Sequence, residues 1–310
     1  MVVERKWGDD HISKSLKQID TNTWLIGNVM LHRSAFPSDT ATWNDSSDNS
    51  SYTLTEAPLP LPAATTPADS PYIKLVHEAG DASAVWSIGS NAICKARYIE
   101  EGVTPESVTL KFVNGKQPSF ETPEVFYHAF GDDRSYLFIQ RLQGRTLDTA
   151  WPSLNDHWKR YYVDAVVNAC LEMAQWEGPT FGGVDGQYIP EYFLAGANDD
   201  FSVLRAGCET IGMDCSSFVF YHADLGPTNI IVEDQPNSGK IGIIDFEISG
   251  YFPRDWIRTK FRLSSGMDLS VSTSEPPNWW RTEIQKALGA KGFKDYAQAW
   301  MQWQGIAPSL

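Results

Sequence analysis

The sequence predicts an α+β protein of two lobes, the first built on an antiparallel sheet with one helix, the second larger and mainly helical. Three observations predict it. Short apolar runs separated by Gly-containing turns occupy the stretch from Tyr72 to Tyr98, the texture of strands joined by hairpins. Apolar residues from Trp158 to Trp176 then recur at three- and four-residue steps, which is a helical face. The strand texture returns only briefly, in Phe218–Tyr221, Ile230–Val232 and Ile241–Ile244. Strands first and helices later is an α+β order, and a cleft between two lobes is a favoured place for a ligand.

Each element follows from local pattern. Residues 38 to 70 are rich in Ser, Thr, Asp, Asn and Pro; such a segment buries little apolar surface and reads as a loose arm or loop. The apolar stretch before it, Trp24 to Leu31, fits a helix or a strand equally well. Tyr72–His77, Ala84–Ile88 and Ala92–Tyr98 are the expected strands, with Gly80-Asp81 and Gly89-Ser90-Asn91 as turns. Thr104-Pro105-Glu106 opens a helix, with Thr as N-cap, Pro at the first position and Glu in the first turn. Val125–His128 and Tyr136–Arg141 are further strands; helices are expected over Trp158–Trp176, within 200–213 and over roughly 279–303. The expected divisions are an N-terminal extension, partly loose, over 1–70; a first lobe over 71–142; and a helical lobe over 143–310.

Composition narrows the function classes. The 310 residues are 42% hydrophobic, enough for a sizeable core. The 39 acidic against 25 basic side chains leave a formal charge of −14, which repels nucleic-acid phosphates and anionic lipid heads and attracts cations, or simply keeps the chain soluble. The four cysteines form no C-x-x-C pair and stand beside no His cluster; they read as buried thiols of a reducing compartment rather than zinc ligands. The opening residues lack a signal-peptide apolar core, and no run approaches the length of a membrane span. A cytoplasmic protein without nucleic-acid or membrane partners is the expectation.

The chemistry gathers in His222-Ala223-Asp224-Leu225-Gly226-Pro227-Thr228-Asn229 and in Ile244-Asp245-Phe246. Moving a phosphoryl group onto a hydroxyl needs a carboxylate to take the hydroxyl proton, oxygen ligands for Mg²⁺ and a cation on the phosphate tail. Asp224 suits the first role. Asn229, five residues on, offers an amide oxygen to a metal, and Asp245, at the end of an apolar strand, offers a second metal contact. His222 reads as support for the loop. The competing reading makes Asp224 and Asn229 turn formers beside Gly226-Pro227, and Asp245 a strand-end cap.

HADLGPTNIIV followed by KIGIIDFE resembles the aminoglycoside phosphotransferase family, which shares the protein-kinase-like fold. The phrases FIQRLQGRTLDTAW and ISGYFPRDW are most similar to fungal members, and the resemblance covers roughly residues 71–303. It implies a bilobal protein-kinase-like fold, ATP and Mg²⁺ as cofactors, Asp224 as catalytic base, and Asn229 and Asp245 as metal ligands. It further implies that Lys95 grips the α and β phosphates and pairs with Glu106. Backbone N–H groups of Ala82 and Ser83 would face phosphate, although this loop lacks the G-x-G-x-x-G of protein kinases. Backbone groups of Gln140 and Leu142 would meet the adenine edge. Choline and ethanolamine kinases, more distant, also carry a D-F-E phrase, so Glu247 is a candidate for metal or substrate support. Substrate candidates in the second lobe are Asp185, Glu191, Tyr192, Arg254, Asp255 and Trp256; acidic and aromatic groups suit an amine.

The expected function is therefore transfer of the ATP γ-phosphoryl group to a hydroxyl of a small molecule, amine-bearing by the charge argument. The alternative is a catalytically inactive kinase-fold binding or scaffold protein, motivated by the divergent phosphate loop. A protein acceptor is disfavoured: no A-P-E phrase and no long activation segment follow Asp245-Phe246-Glu247.

Overall fold

The computed structural model describes residues 11–66, 70–131, 133–196, 200–270 and 275–306. The chain forms two compact units. The first takes Met1–Glu101 and Pro123–Arg141; the second takes Gly102–Thr122 and Leu142–Leu310. The helix opened by Pro105 thus groups with the second unit, rather than within a continuous 71–142 segment.

In the first unit, β1 (Leu16–Asp20), β2 (Thr23–Ile26), β3 (Val29–Ser34), β4 (Trp43–Asp45) and β5 (Ser50–Glu56) make an antiparallel sheet in the order β1-β2-β3-β5-β4. The apolar stretch Trp24–Leu31 is therefore strand. The polar segment expected to be loose supplies β4 and β5, because Trp43 and Tyr52 alternate inward and stack at 5.1 Å. A second antiparallel sheet follows: β6 (Ile73–Ala79), β7 (Ser83–Ile88), β8 (Ala92–Tyr98), β9 (Val125–Phe130) and β10 (Arg134–Gln140), ordered β6-β7-β8-β10-β9. The two sheets share one core, in which Trp24, Ile26 and Leu31 meet Trp86, Cys94 and Phe138. One face of the second sheet is thus covered by the N-terminal sheet. Alternation along β8 buries Cys94 and Ala96 in that core and turns Lys95 to the opposite face.

The second unit begins with α1 (Glu106–Lys116). Thr104 does not cap it: the N-cap is Pro105, and the Thr104 hydroxyl donates to Asp185 Oδ1 at 2.5 Å. Beyond Leu142 come β11 (Arg145–Thr146), α2 (Leu147–Ala150), α3 (Asp156–Met173), β12 (Glu177–Gly178) and α4 (Leu204–Thr210). β13 (Phe218–His222), β14 (Ile230–Val232), β15 (Ile241–Ile243) and β16 (Ser249–Phe252) follow as two small sheets, β11-β14-β15 and β12-β13-β16. α5 (Trp256–Leu263), α6 (Trp279–Ala290) and α7 (Ala297–Trp303) close the chain. The helical stretch expected over roughly 279–303 is two helices, parted where Gly292 takes φ +88°. Among the described residues no helix is long and apolar enough to cross a membrane. All four cysteines are buried and free.

Candidate active site

β13 delivers His222 and Asp224 to a loop, a 3₁₀ turn over Pro227–Asn229 shapes it, and β14 carries the chain away. Gly226 is needed there by close approach, since a Cβ on it would meet Met267 Cα at 3.2 Å. The Asn229 amide Nδ2 donates to Asp224 O at 2.8 Å and to Asp224 Oδ2 at 2.9 Å. This closes the loop and aims the carboxylate. With its nitrogen so committed, Asn229 has Oδ1 to offer a cation. On α6, Trp280 Nε1 donates to Leu225 O at 3.3 Å and anchors the loop from behind.

His222 is fully buried. The Asp224 N–H donates to its Nδ1 at 3.2 Å, so Nε2 carries the hydrogen and donates to Ile244 O at 3.0 Å. The imidazole is thus neutral and links the loop to the residue preceding Asp245. Burial holds its pKa below the ordinary 6.5, in keeping with that tautomer. Asp224 is partly buried, and burial above all raises its carboxyl above the ordinary 3.8. A raised carboxylate is a stronger proton acceptor.

Asp245 follows β15 in the left-handed region, at φ +68°, a conformation Asp tolerates better than most residues. Its carboxylate lies within 4.8 Å of those of Glu106 and Glu247. Glu106, buried at the start of α1, also accepts the Phe246 N–H at 3.1 Å. Within its own unit Glu106 is tied to the Asp245-Phe246-Glu247 turn. Sequence reasoning missed this grouping because 140 residues separate Glu106 from Phe246. A set of carboxylate oxygens suits a hard divalent cation, so the residues present fit Mg²⁺.

In the first unit, Lys95 occupies the middle of β8, opposite Val85 on β7 and Leu137 on β10. The β6–β7 hairpin is tighter than expected. The Ala82 N–H donates to Ala79 O at 3.0 Å and closes the turn, so that N–H is not turned to a ligand, which corrects the expectation for Ala82. Ser83 is the first residue of β7, paired with Ala79 and Arg97. Asp81 at the tip accepts the Ile12 N–H at 2.7 Å and the Tyr98 hydroxyl at 3.0 Å, which staples the hairpin to the N-terminal segment. Gln140 ends β10, its N–H donating to Glu124 O at 2.8 Å. Leu142, nearly buried, opens the rest of the second unit, where its side chain packs against Gly242.

The substrate candidates are scattered. Asp185 is a loop former, accepting from the Thr104 hydroxyl and from Gln187 N at 3.1 Å. Glu191 is fully buried: Lys260 Nζ sits 2.6 and 2.7 Å from its two oxygens, and Trp256 Nε1 and Phe193 N donate to it at 3.2 and 3.1 Å. This corrects the expectation for Glu191 and Trp256, which make a buried polar knot with no surface for a small molecule. Arg254 is exposed and lies over the Phe293 ring at 3.7 Å.

No family model matches the chain, and no curated protein matches its sequence. Solved structures do match. Aminoglycoside phosphotransferase APH(3'')-Id from Streptomyces rimosus is 14% identical, with 75% of this chain and 91% of that chain covered, at a TM-score of 0.50. The streptomycin–ATP complex of APH(2'')-IIa (14% identity, 73% and 77% covered, TM-score 0.47) is also similar. So is a ternary complex of a thermostable APH(4)-Ia mutant with ADP and hygromycin B (15%, 74% and 82%, TM-score 0.47). At these identities the likeness concerns the fold: an antiparallel-sheet N-terminal region followed by helices, in the kinase-like arrangement of aminoglycoside phosphotransferases.

Proposed function

We propose that this kinase-like fold serves an ATP- and Mg²⁺-dependent phosphotransferase that places the γ-phosphoryl group on a hydroxyl of a small molecule, of a class that includes amine-bearing compounds. One observation carries the reading: a carboxylate with a raised proton affinity, Asp224, is oriented by Asn229 and by a neutral buried His222 in the unit that also gathers Glu106, Asp245 and Glu247. A structural turn has no need of a neutral buried imidazole, a pre-aimed acid and a carboxylate set together.

In this reading Asn229 Oδ1 and the Asp245 carboxylate hold Mg²⁺, with Glu247 in support. When bound, the ion supplies charge neutralisation on the phosphates. Asp224 accepts the proton of the acceptor hydroxyl as its oxygen bonds to the γ-phosphorus and the bond to the β–γ bridging oxygen breaks, leaving ADP. Asn229 Nδ2 keeps one carboxylate oxygen occupied, which directs the other to the acceptor. Lys95 steadies the phosphate tail, and backbone groups of Gln140 and Leu142 receive the adenine edge. The net charge of −14 favours a cationic acceptor. Four buried thiols fit a reducing compartment such as the cytoplasm.

The test is an ATP-consumption screen over hydroxylated amines, sugars and alcohols, with Asp224→Asn as the blank. Turnover in the wild type that survives in the variant would remove Asp224 from the base role. The closed Ala82 turn favours a second reading, a kinase-fold scaffold without phosphotransfer. Thermal shift separates the two: Mg²⁺–ATP at 100 times its Kd stabilises by about 2.7 kcal/mol, and no shift at millimolar ligand would favour the scaffold.

A further inference from the structure

Cys208 and Cys215 bracket the end of α4 and the turn that follows it. Gly212 takes φ +86°, which lets the chain reverse there. The Met213 N–H donates to Cys208 O and the Gly212 N–H to Glu209 O, each at 3.0 Å, and Asp214 Oδ1 accepts the Ser216 N–H at 2.9 Å. The reversal lays Cys215 back against the helix, where the two thiols meet in a hydrogen bond. The phosphotransfer reading has no use for this pair. Its members also differ in exposure: Cys208 is fully buried, whereas Cys215 is 9% exposed and within reach of a small oxidant.

The pair is polarised. Burial pushes the Cys208 thiol up, so the shared proton stays there, and the hydrogen bond it donates holds Cys215 below the ordinary 9.0. Arg205 adds to that effect, while burial and the charges of Glu209 and Asp214 oppose it. Cys94 and Cys170 differ: both are fully buried, and burial pushes both thiols up. A thiolate at the margin of the surface beside a protonated thiol is the arrangement of an attacking and a resolving cysteine. Sulfurs already in contact need only side-chain rotation to reach the bond length of about 2.05 Å. The position of the pair gives such a bond a consequence. Gly207 faces Leu194 O and the Trp303 ring, which a Cβ there would meet at 3.0 and 3.1 Å, so α4 is confined between the chain after Glu191 and α7. Cys215 lies just before β13, the strand that delivers His222 and Asp224.

We propose that Cys208 and Cys215 are an oxidisable dithiol, which a peroxide converts to an intramolecular disulfide that staples the end of α4 to the root of β13. The Cys215 sulfur bonds to one peroxide oxygen, the O–O bond breaks, and the departing hydroxide leaves as water with the proton that Cys215 gave up. Cys215 is then a sulfenic acid. The Cys208 sulfur bonds to the Cys215 sulfur, the S–O bond breaks, and the hydroxide leaves as water with the Cys208 proton. In sum two thiols and one peroxide give one disulfide and two waters. A small thiol reverses the step by exchange. In a reducing compartment the pair rests as thiols, as a transient device does.

The experiment treats the full chain with hydrogen peroxide, blocks the remaining thiols, and maps non-reduced peptides after cleavage at Arg, Lys and Glu. Cleavage after Glu209 parts the two cysteines unless they are bonded. A linked Cys208–Cys215 pair is expected, released by dithiothreitol, at peroxide levels that leave Cys94 and Cys170 reduced. Cys208→Ser should halt Cys215 at the sulfenic acid, which dimedone traps, and Cys215→Ser should leave Cys208 a thiol. The oxidised wild type should melt a few degrees above the reduced one, and the melt of Cys208→Ser/Cys215→Ser should not respond to peroxide. The map of the wild type decides even where a variant folds poorly. A Cys215 carried to the sulfinic acid beside a free Cys208, a bond to Cys94 or Cys170, or a bond between two chains would each overturn the proposal. An oxidised wild type that melts no higher would overturn the staple. None of these readouts depends on turnover, so their failure and that of the phosphotransfer reading are distinguishable.

Discussion

Glu191 and Asp224 belong to the same unit, both withdrawn from bulk water, and their surroundings differ in kind. Glu191 is saturated: a lysine, an indole N–H and a backbone N–H satisfy both oxygens, and nothing of it reaches solvent. Asp224 is held by one amide nitrogen, keeps partial exposure, and binds its proton more tightly than an ordinary carboxyl. The difference teaches how to tell a scaffolding carboxylate from a reactive one. Full neutralisation fixes a fold; incomplete neutralisation leaves an acceptor to use. Both lie near Lys260, which pairs with the first and draws the second toward its charged form.

The largest way to break this contrast is Lys260→Met. It leaves the Glu191 charge buried and uncompensated, and stability is expected to fall by about 3–5 kcal/mol. The double variant Glu191→Gln/Lys260→Met should recover most of it; chemical denaturation of the three proteins decides. A double variant no better than the single would mean that packing of the lysine stem, not charge pairing, matters there.

Asp224→Asn should act oppositely on stability and activity. Turnover, once an acceptor is found, is expected to drop by roughly 10²–10⁴, while stability near pH 7 rises by about 1 kcal/mol. The sign follows from linkage. Folding raises the proton affinity of Asp224, so its contribution is intact below the ordinary 3.8 and is lost as pH rises through the raised value. The advantage of the Asn variant should accordingly vanish in acid, and a gain that persists at low pH would assign it to something other than this charge. Activity of the wild type should decline on its acid limb as Asp224 takes up its proton.

His222 gives a smaller effect of the other sign. Its folded pKa lies below 6.5, so the unfolded chain binds the extra proton and stability falls as pH drops beneath 6.5, by at most about 1.4 kcal/mol per unit. His222→Gln should flatten that slope between pH 6.5 and the folded value, whatever it does to the absolute stability. Melts across pH 5 to 8 test it. Smallest is the backbone of Asp245: Asp245→Asn should hold stability within about 0.5 kcal/mol, and Asp245→Ala should lose about 1 kcal/mol more, the added strain of an alanine at φ +68°. Equal losses would show that the carboxylate, not the backbone, sets the stability there.

Legibility in the sequence followed the range of the interactions. The strands around Trp86, Cys94 and Phe138, the long helix α3 and the loop from His222 to Asn229 were all readable, because alternation, helical periodicity and turn chemistry act within a few residues. The strands of residues 38–56 were not, because their cohesion comes from Trp43 stacking on Tyr52 and Phe126 rather than from local pattern. α5 passed unnoticed although Trp256, Ile257, Lys260 and Phe261 share a buried face; a lysine among apolar residues was the available signal.

The sequence by itself determined the α+β order, the strands-then-helices texture and the identity of Asp224, Asn229 and Asp245 as the chemical candidates, since each rests on neighbours in the chain. Only the tertiary structure decided which carboxylates are consumed by the fold and which stay reactive. Glu191 and Lys260 are 69 residues apart, and Glu106 and Phe246 140. The protonation and pairing of a buried charge depend on whatever packing brings alongside it, and no local pattern encodes that neighbour.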